Sequence, residues 1–551
     1  MSAQVAIVLL ITFWVCIHGI YRLLHRHKHV PLPSFVTIGR RPLTRNSLGA
    51  DVKLTSFHLR LSTSKLNARH DQFASYLLQR ENQNIKSLLQ SLYGFGVLLG
   101  VLGMVTAVIC LLWMATSSVW YLLEILNLRV KTREQDSSIY ARDLSSTLES
   151  STIRRSFATL TPIIPGVTVP LSHLPSIVIA VFISQLVHEL GHAIAGALES
   201  LSILLCGASL TVCIPAAFVN FPTAAMNSLS PKARARVIAA GPFHNIIFAV
   251  VVLISARFVN VASLVSGYKN VSEIGRVVVD VDPSSPLYLH LRPGSIITKI
   301  DDTQLSSYTS DVWTEYLTLP HRPSDTGWCV ETSAFKSPDL CCKPRQQNAS
   351  PMACFMMKEE HSSLGCIDPI PLLANPVPQA RCLVESDCKS KTTCIAQHVS
   401  TQILRLNVRP VNGAAEDETM VLWSGLPEEV YEEVLVTSWQ PRVSFLPLGL
   451  PLLIQTFWQY LKMTTISLFF FNLLPLPYLD GTELLKAFID LTISSETDAL
   501  SYDIEALERS LEMEDSRPAR RWKERIVRIM NVGLCICLIV YLSVAIIDGL
   551  H

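Results

Sequence analysis

Residues Ile183-Ser184-Gln185-Leu186-Val187-His188-Glu189-Leu190-Gly191-His192-Ala193-Ile194-Ala195-Gly196 place two histidines and a glutamate inside an apolar run that extends from 172 to 198. A run of that length can cross the hydrocarbon core of a bilayer, about 30 Å thick, as one helix. Each ionisable group near the centre of such a helix costs roughly 2.5 to 3.5 kcal/mol, so three within five residues require a metal ion, a partner or a wet cavity.

Five more apolar blocks surround this one, at 3–24, 95–126, 235–258, 463–479 and 526–547. Of the 551 residues, 49% are hydrophobic and only 17% charged, against the roughly 25% charged that soluble domains carry. The expected fold class is a polytopic α-helical membrane protein of about six spans. Disorder is excluded as the dominant state, because so much apolar surface must be buried. With 46 Lys+Arg against 45 Asp+Glu, nothing marks a nonspecific nucleic-acid binder. The 3–24 block lacks a basic leader and a small-residue cleavage site, and reads as a retained span. The 32-residue block 95–126 reads as one tilted span; a hairpin there would move the linker 134–170 to the other side.

Charge and cysteines orient the chain independently. Residues 25–94 hold eleven Lys/Arg against three acids, which assigns them to the cytosol. Lys232, Arg234 and Arg236 before the fourth block, and Arg517, Arg520, Arg521, Lys523 and Arg525 before the last, follow the same rule. Segment 259–442 is then lumenal. Eight cysteines, Cys329, Cys341, Cys342, Cys354, Cys366, Cys382, Cys388 and Cys394, fall within 66 residues of it and read as a disulfide framework. A zinc ribbon is the competing reading, weakened by the lack of a C-x-x-C pair. Sequons at Asn270 and Asn348 suit a lumenal address. Cys16, Cys110, Cys206, Cys213, Cys535 and Cys537 lie in or beside apolar blocks and read as small buried hydrophobes.

On a helix His188 and His192 are one turn apart, so two imidazole nitrogens reach one metal ion while Glu189 stands beside them to deprotonate a water. The alternative, a pair of core histidines with a surface glutamate, fits an apolar span poorly. A third ligand must come from elsewhere. Asp480 is the other candidate, in Asn472-Leu473-Leu474-Pro475-Leu476-Pro477-Tyr478-Leu479-Asp480-Gly481. Its prolines break the helix into an unwound or re-entrant stretch, tolerable only against protein or a wet cavity. The plainer reading of Asp480 is the cap of a helix starting near Gly481.

The HELGH motif at 188–192, Gly241-Pro242-Phe243-His244-Asn245 in the next block and the Asn-x-x-Pro-x-Pro-x-x-Asp-Gly run at 472–481 resemble, in order and membrane context, the site-2 protease family of intramembrane zinc metalloproteases. The resemblance covers about 172–258 and 443–490, and the cysteine block resembles the insertion of the eukaryotic type that processes membrane-bound transcription factors. It implies one zinc ion held by His188, His192 and Asp480, Glu189 as general base, and Asn245 and Asn472 near the substrate or oxyanion; helix-to-helix hydrogen bonding is an equal role for those amides. Ile214–Asn220 resembles the family's membrane-dipping hairpin, whose edge can pair with an unwound substrate strand.

Residues 274–301 alternate and turn like the front half of a PDZ-like domain, with return strands expected at 401–408 and 418–423 and the cysteine block inserted between them. Such a module adds a bound chain end as a strand or filters bulky lumenal domains. The expected organisation is N-terminal spans and linkers (1–171), a first catalytic half (172–258), a lumenal PDZ-like domain (259–442) with a cysteine-rich insertion (328–398), a second catalytic half (443–490), and a cytosolic linker with a last span (491–551). Lys462 sets 443–461 apart as interfacial or re-entrant, leaving 463–479 as the span proper. The acidic residues Glu505 to Asp515 read as a solvated linker.

The resemblance implies an endopeptidase of the Golgi or endoplasmic reticulum with its site toward the cytosol. Its partners would be the lipid bilayer and single-span substrates, membrane-anchored transcription factor precursors of the sterol regulatory element-binding protein type, cut first on the lumenal side. A zinc transporter and an inactive scaffold that binds membrane stubs are the rival readings.

Overall fold

The computed structural model describes residues 3–26, 50–135, 163, 165–166, 168–265, 267–306, 311–319, 326–338, 341–342, 352–358, 363–373, 380–389, 391–398, 403–411, 413, 417–500 and 517–549. The readings placed on Lys28, Arg40, Arg41 and Arg45, on most of the 134–170 linker, on Asn348 and on Glu505 to Asp515 lie outside these residues. The chain divides into two compact units, Met1–Ser255 with Thr456–His551, and Ala256–Gln455.

The first unit is built on long helices: α1 (Ala3–Arg26), α2 (Asn67–Leu78), α3 (Gln83–Gln135), α4 (Leu174–Leu198), α5 (Pro231–Val265), α6 (Leu450–Leu473), α7 (Asp480–Leu500) and α8 (Arg517–Gly549). Among the described residues four segments are long and apolar enough to cross a membrane: Arg80–Leu123, Leu171–Leu198, Pro231–Ala256 and Arg521–Ile547. The block 95–126 is a single helix, α3, with no hairpin. Its outward side chains Leu98, Leu102, Ile109, Trp113 and Trp120 are more than half exposed, a liability in water but the normal polarity in lipid. Its inward side carries Gly96, Gly100 and Gly103, spaced to lie on one face. A Cβ at Gly100 would stand 3.3 Å from Leu484 and 3.4 Å from Ala239, so the small residues let α3 approach α5 and α7 closely.

Two expectations change here. Cys16 and Cys110 are exposed rather than buried, because an apolar helix in lipid turns its hydrophobic face outward. The second catalytic stretch is helical from Leu450 through Lys462 to Leu473 and unwinds only at 474–479. Pro475 and Pro477 lack the N–H that would continue the ladder and push the residue before each out of the helical region.

A four-stranded antiparallel sheet belongs to the same unit: β1 (Ala50–Thr55), β2 (His58–Thr63), β3 (Leu205–Thr211) and β4 (Ile214–Asn220), in that spatial order. The hairpin expected around 214–220 is therefore the inner half of a larger sheet. Its outer half comes from a segment read above only as a basic loop.

The second unit starts with β5 (Tyr268–Asn270), β6 (Arg276–Val281), β7 (Ile296–Ile300) and β8 (Thr303–Gln304). The insertion follows, with β9 (Gly327–Glu331), β10 (Ala353–Met357), β11 (Leu364–Ile367), β12 (Arg381–Cys382) and β13 (Thr392–Gln397). The chain then returns through β14 (Leu404–Arg409), β15 (Thr419–Trp423), β16 (Val434–Thr437) and β17 (Trp439–Pro441). Strands from both sides of the insertion share one sheet, β15-β14-β7-β6-β16 with β8 on β7, while the insertion forms its own, β11-β10-β13-β9-β12. Ile297, Ile300, Leu404 and Leu406 fill the core of the first sheet. All eight insertion cysteines are paired, Cys329–Cys388, Cys341–Cys366, Cys342–Cys354 and Cys382–Cys394, which removes the zinc-ribbon reading. Arg405 of β14 pairs with Asp301 and Asp302, Arg381 of β12 pairs with Asp302, and both guanidinium groups stack on Trp328. This cluster ties the insertion to the larger sheet. Burial, reinforced by the Asp301 carboxylate that accepts the Tyr316 hydroxyl at 2.7 Å, pushes that phenol above its ordinary range.

Candidate metal centre

Ala180, Ser184, His188, Gly191 and Ala195 form the buried stripe of α4, at spacings of three and four. Ile179, Leu186 and Leu190 occupy exposed positions on the same helix. Most of the stripe is small, so α4 sits close to its neighbours and His188 enters the bundle interior. One turn before His188, Ser184 Oγ meets Thr465 Oγ1 at 2.8 Å and Thr464 Oγ1 at 3.3 Å, all buried, which ties α4 to α6.

His188 Nε2, His192 Nε2 and Asp480 Oδ2 converge. The oxygen is 2.9 Å from the first nitrogen and 3.2 Å from the second, and the nitrogens are 3.2 Å apart. Ligand atoms about 2.0 to 2.2 Å from a tetrahedral zinc stand about 3.3 Å from one another, so the spacing fits a zinc ion. Asp480 Oδ2 is buried with no hydrogen-bond donor in bonding geometry, and a cation is what would satisfy it. Among the described residues the two other groups with metal-ligand spacing are cysteines already joined in disulfides.

The outer nitrogens support the same reading. His192 Nδ1 lies 2.9 Å from Val237 O of α5; donating there, the ring keeps its Nε2 lone pair for a metal. Pro242, inside α5, cannot bond the carbonyl four residues back, next to the one that His192 uses. His188 Nδ1 faces two amides, Asn245 at 3.2 Å and Asn472 at 3.4 Å. Asn245 is fully buried and its Oδ1 has no donor as the amide stands. Half a turn of the amide gives that oxygen the Nδ1–H and frees Nε2. His244, the neighbouring histidine, takes no part: it bonds Ala240 O at 3.0 Å and stacks on Tyr93.

Glu189 is held by the sheet, its Oε2 accepting the Val219 N–H of β4 at 2.9 Å. Asp480 reaches the histidines because 474–479 is unwound. Tyr478 takes a left-handed φ of 69°, which costs an aromatic residue about 1 to 2 kcal/mol, and the turn is held by Thr482 Oγ1 donating to Leu476 O at 2.6 Å. From α8 the Asn531 amide, oriented to donate, reaches Pro475 O at 2.7 Å. Asp480 is also the first residue of α7, so its capping position and its place against the histidines coincide.

Gly241 had no role in the motif reading, yet it faces the centre. A Cβ there would stand 2.7 Å from His188 Nε2 and closer still to His192 Nε2. Val237 O, Val219 N–H and Asn531 were also missed. The first two are backbone groups without a side-chain signature; Asn531, a lone amide in the last apolar block, could have been found by the rule that flagged the histidines.

A family model described as Peptidase family M50 matches residues 176–506, which include every residue of this centre. A relative from Arabidopsis thaliana described as a membrane-bound transcription factor site-2 protease homolog is 31% identical over 141 residues. That alignment covers 26% of this chain and 27% of the relative, so the chain spans about a quarter of the length of the curated relative it matches.

Proposed function

The chain belongs to peptidase family M50, and from that premise we propose that it is an intramembrane zinc endopeptidase whose centre is His188, Glu189, His192 and Asp480. The observation that carries this is the convergence of two imidazole nitrogens and a carboxylate oxygen within zinc-ligand spacing, with a further carboxyl beside them. Zinc, when bound, supplies a Lewis acid that polarises a scissile carbonyl and acidifies water. Glu189 takes a proton from the attacking water and returns it to the leaving amide nitrogen, so that the peptide bond gives a carboxylate and an amine. The His192 contact to Val237 O and the amides on His188 hold the two rings in the ligating tautomer. Asn245 and Asn472 are also the amides we assign to the substrate backbone or the developing oxyanion. The substrate helix must unwind locally, and the β4 edge offers it a strand partner.

The substrates we propose are single-span membrane proteins, transcription factor precursors of the sterol regulatory element-binding protein type already cut on the lumenal side. Their cytosolic fragment would be released in the Golgi or endoplasmic reticulum. The topology that serves this has six spans, counting α1 and α6 with the four long apolar helices, and a PDZ-like lumenal sheet as strand-binding module or size filter. Glu189→Gln in cells with a tagged membrane-anchored precursor tests the activity. Fragment release should cease at normal expression and zinc content; undiminished release would end the protease reading.

A further inference from the structure

Helix α2 precedes the region that matches the family, and at 3.6 residues per turn it shows three unlike sides. Asn67, His70, Ala74 and Leu77, spaced by three and four, form the side that meets the rest of the unit. His70 Nε2 lies 2.9 Å from Ala193 O of α4, the Asn67 amide donates to Ile203 O at 2.7 Å and Leu204 O at 2.9 Å, and Leu77 joins a buried cluster with Tyr93, Leu198 and Val237. Asp71, Gln72 and Ser75 make an exposed polar side. The third side carries Arg69, Phe73 and Tyr76, with Phe73 38% and Tyr76 45% exposed. Lys65 and Leu66, just before the helix, are exposed as well.

Aromatic rings left uncovered beside a water-facing side require an occupant, and depth identifies it. α4 ends at Leu198, about 8 Å of helix rise beyond Ala193. Helices that lie in a membrane surface sink their apolar side about 5 to 10 Å below the headgroup boundary, so a helix bonded to Ala193 O sits at that depth when α4 crosses the bilayer. The next helix agrees: in α3 the outward side chains start with Ile85 at 42% and Leu88 at 70% exposed, within ten residues of the end of α2. Charge points the same way. Arg69 shares its side with the two rings, and among the described residues no carboxylate forms an ion pair with it or with Lys65. An arginine so placed lays its stem on apolar surface and brings its guanidinium to a phosphate.

We propose that α2 is a membrane-surface helix whose third side takes anionic phospholipid of the cytosolic leaflet, with Phe73 and Tyr76 among the upper acyl carbons and Arg69 and Lys65 at the headgroups. Its inner side then ties that leaflet to the carbonyl next to His192. Which leaflet it is rests on the topology proposed above; peptide cleavage plays no part.

Fluorescence quenching tests this in full-length protein whose six free cysteines have been replaced, reconstituted in phosphatidylcholine vesicles with about a third phosphatidylserine. An environment-sensitive dye on Phe73→Cys or Tyr76→Cys should be quenched by a nitroxide high on the lipid acyl chain at least about threefold more than the same dye on Gln72→Cys or Ser75→Cys, and iodide in the water should give the opposite order. Moving the nitroxide from phosphatidylcholine to phosphatidylserine should raise quenching at Tyr76→Cys, as the charged lipid enriches there by up to about fivefold for each cation. Arg69→Gln with Lys65→Gln should remove that rise. All of these positions are exposed, so the variants take nothing from the core. Equal lipid quenching on the two sides, or free access of iodide to all four positions, would overturn the proposal. So would shielding of Phe73→Cys from iodide that appears in native membranes and is lost in the purified vesicles, which would assign the side to a protein partner. A protein that shows the expected quenching and fails to cut loses the protease reading alone.

Discussion

Gly241→Ala adds one methyl group and isolates the geometry of the metal centre. The new carbon would stand 2.7 Å from His188 Nε2 and Cε1 and nearer still to His192 Nε2, where carbon and ring atoms normally keep about 3.5 Å. The imidazoles must retreat by most of an ångström, whereas zinc–nitrogen distances tolerate about 0.2 Å. Overpacking of this kind costs about 1 to 3 kcal/mol, and placed wholly on the ligands it weakens zinc binding by about 5- to 150-fold. Helix propensity acts in the opposite direction, because alanine is better than glycine in a helix by about 1 kcal/mol. A loss of zinc with an unchanged or raised melting temperature is therefore the signature of the clash. The assay is zinc competition with a calibrated chelator on purified protein, alongside thermal unfolding. Gly533→Ala is the control, since a Cβ there meets nothing within 4 Å. Wild-type zinc affinity in Gly241→Ala would refute the binding of the ion by the two ring nitrogens that face Gly241.

Asp480→Ala should lower the zinc content of purified protein well below one equivalent, measured by metal analysis; a full equivalent at wild-type affinity would remove Asp480 from the ligand set. Asn531→Ala leaves the Pro475 carbonyl without its donor, a cost of about 1 to 3 kcal/mol. Because that carbonyl lies in the turn that delivers Asp480, zinc affinity should fall about tenfold while α8 stays helical, read by chelator competition and circular dichroism. Replacing Cys382 and Cys394 by serine opens a loop closed over a sequence separation of 12. It should cost the insertion about 3 kcal/mol, seen as earlier thermal unfolding with zinc binding unchanged.

Side-chain chemistry in the wrong solvent was the readable part of the site. His188, Glu189 and His192 stood out because an apolar span makes every charge expensive, and Asp480 because two prolines broke the helix before it. The structure brings the three candidate ligands within 4.8 Å of one another. Positions whose role lies in the backbone or in an absent side chain left no such trace. Val219 acts through an N–H and Val237 through a carbonyl, neither of which depends on valine. Gly241 acts by lacking a Cβ against two histidines 49 and 53 residues before it in sequence, which the spacing of a single motif does not reveal. The β1–β2 hairpin was hidden for another reason. Its alternation of Val52, Leu54, Leu59 and Leu61 with polar residues was legible, but its Lys53 and Arg60 counted toward a cytosolic loop, and a charge count is blind to the face on which a charge sits.

Partner groups explain why so many helices and a sheet meet at one point. Each polar group introduced into the apolar interior is matched by one from a different element: His192 by the Val237 carbonyl of α5, His188 by amides from α5 and α6, Glu189 by the Val219 N–H of β4. A buried polar group without a partner costs about 1 to 3 kcal/mol and a charge more, so each match fixes the position of the element that supplies it. Asp480 Oδ2 is buried between the two ring nitrogens, 2.9 Å from His188 Nε2 and 3.2 Å from His192 Nε2, with no donor in hydrogen-bonding geometry. A cation shared by the three ligand atoms would satisfy that oxygen and both ring nitrogens at once, which is why a metal site accounts for this cluster better than hydrogen bonding between helices.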